Sequence, residues 1–142
     1  CRAYMITYTN KIHNVIDKLA NLVTDEVAIP VTFNEHIGNQ SILITPEEDN
    51  LNQILASGQT RDYTITMSYQ LNTNGDMTEN TFKQLSNTAE HLKRLFAPDN
   101  NSTVADYWFN GRVENVTYER DEEDEGKIRA IITFNCTGLE AS

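Results

Sequence analysis

Two segments near the C-terminus alternate polar and apolar side chains and meet at a cluster of acids. Together they span residues 112–137, with Val113, Val116 and Tyr118 before the cluster and Ile128 to Phe134 after it. Alternation with a period of two is typical of β-strands, and two such segments joined by a short polar turn predict an antiparallel hairpin. A hairpin needs further strands or a packed helix to bury its apolar side. The feature therefore restricts the chain to folds built on an antiparallel sheet.

Two stretches with a 3.6-residue apolar period predict amphipathic helices. The first begins after Thr9 or Asn10, either of which can cap it, and ends at residues 24–26. The second begins after Thr78 and ends before Pro98. Their apolar stripes are Ile12, Val15, Ile16, Leu19, Leu22 and Val23, and Phe82, Leu85, Ala89, Leu92 and Phe96.

The clearest strand is residues 63–71, where Tyr, Ile, Met, Tyr and Leu alternate with polar residues. Residues 27–34 and 41–45 predict shorter strands, and residues 51–60 are ambiguous and could form one helical turn. Asn110–Gly111 predicts a tight turn or a bulge. The predicted class is α+β, an antiparallel or mixed sheet with two helices packed on one face, in the order α-β-β-β-α-β-β.

The length of 142 residues fits one domain. We expect that domain at residues 8–142. Residues 1–7 are expected to be an N-terminal extension or an upstream remnant, with Met5 near the natural start.

The charge balance excludes several classes of partner. The sequence has eleven basic and twenty-one acidic residues, which gives a net charge of −10. Nucleic-acid binding depends on Lys and Arg that displace counterions from phosphate, so general nucleic-acid binding is disfavoured. Docking on an anionic membrane is disfavoured for the same reason. We expect no membrane partner.

The acidic turn is the first candidate for chemistry. It contains five consecutive acids: Asp121, Glu122, Glu123, Asp124 and Glu125. The spacing resembles the start of a calcium-binding EF-hand loop, but loop position twelve would be Ile132 and the flanking segments are strands. The turn therefore predicts a solvated tip, or a tip that repels or docks a partner, with weak nonspecific cation binding as a lesser alternative.

No other pattern indicates catalysis. The histidines at positions 13, 36 and 91 lack a second ligand at metal-binding spacing, and no Gly-x-Ser-x-Gly, P-loop or dinucleotide motif is present. We predict no catalytic residue, no metal and no cofactor. Trp108 lies in the aromatic cluster 107–109. Such a cluster predicts that its side chains either cap the core or anchor a subunit interface.

One face of the predicted sheet is polar. It contains Thr64, Thr66, Ser68 and Gln70, then Asn115, Thr117 and Glu119, then Arg129, Ile131, Thr133 and Asn135. Two interpretations stay open: ordinary solvent exposure, or a surface that lines a channel or meets a neighbouring sheet. Under the second, Thr64, Thr66, Ser68 and Arg129 are candidate interface or channel-facing residues.

The order of these elements resembles a known family. The first helix, the strand 61–69, the helix ending at residues 92–96, and the hairpin that passes through residues 118–126 and returns through 131–134 carry the resemblance. They are similar to the tail terminator, or tail completion, proteins of long-tailed bacteriophages of the phage lambda type. The resemblance covers residues 8–140 and is one of element order and pattern.

The resemblance implies a structural virion protein and no enzyme. Such a protein forms a ring, usually of six subunits, on the tail tube, ends tube polymerisation and joins the tail to the head-side connector or neck protein. DNA would pass through without specific binding, and six subunits of −10 would give the ring roughly −60, which repels DNA from its wall. The implied location is the virion tail or neck, after assembly in the host cytoplasm. Alternatives are a tube-like or connector subunit and, less favoured, an acidic protein-binding module.

Overall fold

The computed structural model describes residues 10–27, 29–33, 35–36, 38, 40–72, 79–96, 103–104, 107–120 and 127–141. Within these residues the elements are α1 (Lys11–Val27), β1 (Val31–Thr32), β2 (Gln40–Leu55), β3 (Gly58–Asn72), α2 (Glu79–Leu95), β4 (Phe109–Arg120) and β5 (Lys127–Ala141). The predicted order α-β-β-β-α-β-β is confirmed. The extension predicted at residues 1–7 and the acidic turn both lie outside the described residues.

The five strands form one mixed sheet in the order β1-β2-β3-β5-β4. β1 runs parallel to β2, and the other neighbouring strands pair antiparallel. β3 and β5 stay in register over their whole lengths, from Gly58 opposite Ala141 to Asn72 opposite Lys127. The predicted C-terminal hairpin is therefore present as β4 and β5, and β3 lies at the centre of the sheet.

Both helices pack on one face of this sheet, as predicted. The side chain of Asn10 accepts a hydrogen bond from the backbone N–H of His13 (3.2 Å), which caps α1 at the predicted residue. Across the two helices, His91 Nε2 lies 2.7 Å from Glu26 Oε1. The core between the layers is made of the buried side chains of α1 and α2 and the inward residues of β2, β3 and β5: Val15, Leu19, Val23, Leu85, Leu92, Ile42, Ile44, Tyr63, Ile65, Met67, Tyr69, Ile128, Ile132 and Phe134.

Three aromatic rings close the core beside the start of β4. The ring centroid of Phe134 lies 4.7 Å from that of Phe96 and 5.5 Å from that of Trp108. A Cβ atom at Gly111 would come within 2.6 Å of the Trp108 indole nitrogen, so this approach requires glycine. Asn110 has a φ of 56° and the pairing register shifts between Phe109 and Arg112, which makes this site a bulge.

β2 differs most from its prediction. It continues as a strand through Leu55, so the expected end near residue 45 is wrong, as is the possible helical turn at residues 51–60. Pairing with β3 resumes after register shifts between Pro46 and Glu48 and between Leu51 and Gln53. These irregularities interrupt the polar–apolar alternation on which a strand prediction depends. Pairing with β3 across the turn at residues 56–57 keeps the segment extended.

Candidate assembly surfaces

The polar face of the sheet lies opposite the helices. Thr64, Thr66 and Ser68 on β3 alternate with the buried residues Tyr63, Ile65, Met67 and Tyr69, and Arg129 lies on the same side of β5. All four candidate residues are half-buried. The structure therefore brings them together on one surface.

His36 covers one end of this face. Its Nδ1 lies 2.8 Å from Ser41 Oγ on β2, and its Nε2 lies 3.2 Å from Ser68 Oγ on β3. Beside it, Arg129 Nε donates to Gln70 Oε1 at 3.1 Å. Ser41 is buried as a result, so this end of the polar face is not an open channel wall in the single chain.

The environment of His36 favours its neutral form. Burial is the largest cause that lowers the pKa of the imidazole, and the positive charge of Arg129 adds to the effect. The sequence around His36 has no second metal ligand at a suitable spacing. No residue next to it in the sequence indicates that its ring contacts two strands. Only the folded structure, in which His36 lies against β2 and β3, reveals this contact.

Side-chain hydrogen bonds join three strands at the other end of the face. Asp62 accepts from Asn52 Nδ2 at 3.1 Å and from Thr137 Oγ1 at 2.7 Å, while Thr60 Oγ1 donates to Asn52 Oδ1 at 3.0 Å. The polar side chains here form hydrogen bonds with one another. The arrangement suits a hydrogen-bonded wall more than a binding pocket.

Trp108 and the acids at 121–125 are the remaining predicted sites. Trp108 is 3% exposed and packs against Phe96 and Phe134, so it is a core residue in the single chain and presents little surface to a partner. Residues 121–125 lie outside the described residues.

A first surface not anticipated from the sequence is the outer part of β2. We call residues 45–55 the open-edge segment. Every one of these residues is exposed, and β1 pairs with β2 only at Ile42 and Leu43. Leu51 and Ile54 are 49% and 74% exposed, and they point to the helix side of the sheet, opposite Arg61 and Gln59. An unpaired strand edge with apolar side chains is a surface that another chain can cover.

A second such surface lies between α2 and β4. We call it the α2–β4 groove. It is lined by Phe82, Lys83, Leu85, Ser86 and Tyr118 around a volume of about 400 Å³. Phe82 is 51% and Tyr118 54% exposed, although the periodicity predicted both as inward-facing. The reason is that β4 is the last strand of the sheet, and within the described part of the chain no further strand or helix shields its outer side.

The titratable groups in the core do not form a reactive site. Burial raises the pKa of the Cys136 thiol to about 12, so it stays protonated and weakly nucleophilic at neutral pH. Burial also raises the pKa of Tyr63, whose hydroxyl donates to Glu140. Among the described residues no cluster of three or more His, Cys, Asp or Glu side chains could hold a metal ion. Neither described helix has the length and apolar character needed to cross a membrane.

Comparison with known proteins yields a likeness of fold at low similarity. No protein-family model matches the chain, and no curated protein sequence matches it. A chain of a solved structure titled "Virion of native gene transfer agent (GTA) particle" aligns over 92% of this chain and 92% of its own length. The identity is 13% and the TM-score 0.46, values too low for the likeness to bear on function.

Proposed function

We propose that this protein is a structural virion subunit that forms a ring, of six copies, on the end of a phage tail tube. In this role it ends tube polymerisation and joins the tail to the head-side connector or neck protein, and it performs no catalysis. The support comes from two sources. The tail-terminator type rests on the sequence resemblance, and assembly as the mode of action rests on the structure.

The observation that carries the assembly role is the open-edge segment. Eleven consecutive residues of β2 are exposed, with Leu51 and Ile54 among them, and their outer backbone edge has no strand partner among the described residues. Natural monomers shield long strand edges because such edges template pairing with other chains. Pro46 and the acids at 47–49 provide such shielding at one end of the segment, whereas residues 50–55 carry no charge and present Leu51 and Ile54 to a partner.

The charge of the chain is compatible with a ring around DNA. At −10 per subunit, the ring wall would repel the phosphate backbone instead of adsorbing it. The polar face offers half-buried hydroxyl and amide groups together with Arg112, Lys127 and Arg129, of which Arg129 bonds to Gln70 and Arg112 to Glu114.

Negative-stain electron microscopy of the purified protein mixed with tail tubes tests the proposal. We expect one ring at the tube end and no further growth of capped tubes when tube subunits are added. A tube-like subunit, the first alternative, would instead polymerise by itself into long tubes. Absence of any binding to tubes would rule out the terminator role.

A further inference from the structure

We propose that the open-edge segment of one copy docks into the α2–β4 groove of the next copy, so that subunits join head to tail. This inference deepens the proposed function, because it names the contact from which the ring would be built. The occupant of the groove is thus a second copy of this chain.

The two surfaces match in chemistry. The open-edge segment presents Leu51 and Ile54. Of its three acids, Asp49 pairs with Arg61 and Glu48 lies opposite Thr64 on the polar face, so Glu47 is the carboxylate left for a partner on the helix side. The groove presents the rings of Phe82 and Tyr118 with Lys83 in its lining, and none of the described lining residues is acidic. Arg120 points to the same side of β4 as Tyr118, since it lies two residues further along the strand.

The two surfaces cannot meet within one molecule. Ile54 lies opposite Gln59 on β3, whereas Tyr118 lies opposite Ala130, which pairs with Tyr69. Ten residues of β3 at about 3.3 Å each separate these levels by roughly 33 Å, and three strand spacings of about 4.8 Å add roughly 14 Å across the sheet. They therefore occupy diagonally opposite corners.

Both surfaces nevertheless lie on the helix side of the sheet. Leu51 and Ile54 share that side with Tyr63, and Tyr118 shares it with Ala130. Two different, complementary surfaces on one subunit form a heterologous contact, which produces a closed ring or an open filament instead of a twofold dimer. The same contact repeated around an axis buries every open-edge segment.

Two single substitutions test the two surfaces of the contact one at a time. Ile54→Asp disables the open-edge segment and leaves the groove intact, whereas Phe82→Asp does the reverse. Leu139→Asp is the matched control, because Leu139 is 52% exposed on β5 and belongs to neither surface. All three side chains are at least half-exposed, so we expect each variant to unfold at the urea concentration of the wild type.

Sedimentation velocity over a concentration series measures the outcome. We expect the wild type and the control to assemble, and each of the other two variants to associate roughly 30-fold or more weakly, as for the loss of an interface hot spot. A 1:1 mixture of the Ile54→Asp and Phe82→Asp proteins should form a dimer and nothing larger. One contact remains possible in that mixture, and both outer surfaces of the dimer are disabled.

Charge exchange provides a second test. Lys83→Glu should weaken assembly, and adding Glu47→Lys to the same chain should restore it. Assembly of Ile54→Asp and Phe82→Asp at wild-type strength, or a mixture that stays monomeric, would overturn the inference. Wild-type protein that stays monomeric and uses the segment only to bind tubes would also overturn it.

The contact and the terminator role can fail separately. If both single variants still form rings that cap tail tubes, the proposed contact is wrong and the terminator role stands. If the mixture forms the predicted dimer but wild-type rings never bind tubes, the contact stands and the terminator role is wrong.

Discussion

His36 illustrates how one side chain can tie a connecting segment to a sheet. The ring contacts Ser41 on β2 and Ser68 on β3, and its neutral form is favoured by burial and by the charges of Arg129 and Lys127. In the unfolded chain these influences are absent. The imidazole then has its ordinary pKa of about 6.5.

We therefore predict that His36 makes the fold less stable as the pH falls below about 6.5. The folded-state pKa is the lower one, so the unfolded state binds the proton more readily in this window, and acid shifts the equilibrium toward unfolding. Above the unfolded-state pKa the neutral ring contributes its full stabilisation. The measurement is urea unfolding from pH 7.5 downward for the wild type and for His36→Gln, whose amide cannot take up the proton.

His36→Gln should lose less stability than the wild type over that range. His13→Gln is the comparison variant, because His13 is exposed on α1 and pairs with Asp17 instead of lying on the sheet. Identical pH dependence in the wild type and His36→Gln would contradict the assignment.

At the scale of elements, β2 and β3 pair along most of their lengths but differ in their surroundings. β3 has β2 on one side and β5 on the other, so its amides point to a strand partner in either direction. Beyond Leu43, β2 has a strand partner on one side only among the described residues. The two strands should therefore open with different free energies.

Hydrogen exchange of the monomer should show this difference. We predict that amides of β3 are the slowest to exchange, and that the outward-facing amides of residues 45–55 exchange at least about tenfold faster. Assembly should slow exchange in residues 45–55, while β3 stays unchanged. Equal protection of both segments in the monomer would mean that the β2 edge is already covered.

At the scale of the whole molecule, charge decides which partners are compatible. The net charge of −10 includes the five acids at positions 121–125, about half of the excess. We predict that replacing these five with Ser and Asn leaves the free energy of unfolding within about 0.5 kcal/mol, as is usual for a solvated turn of the kind that the sequence predicts here. Urea unfolding measures this, and a larger loss would show that the acids have a structural role.

The same variant tests the repulsion of DNA. Fluorescence anisotropy with duplex DNA at low salt should detect no binding by the wild type, and none by the variant, which still carries a net negative charge. Tight binding by either protein would contradict passage of DNA without adsorption.

Element types and their order were predictable because they depend on local periodicity. The alternation of residues 63–71 and the stripes of both helices each lie within one continuous segment, and Asn10 and the Asn110–Gly111 pair act through their immediate neighbours. The polar side of the sheet follows from the same alternation. For these features, no knowledge of distant parts of the chain is required.

The sequence by itself determined two helices, the polar and apolar sides of the strands, and an acidic chain without a catalytic motif. Only the tertiary structure decided that β2 extends to Leu55, that His36 covers one end of the polar face, and that Phe82 and Tyr118 stay exposed. The physical reason is strand order. Whether an apolar side chain is covered depends on which strand lies at the edge, and the order β1-β2-β3-β5-β4 joins residues far apart in the chain.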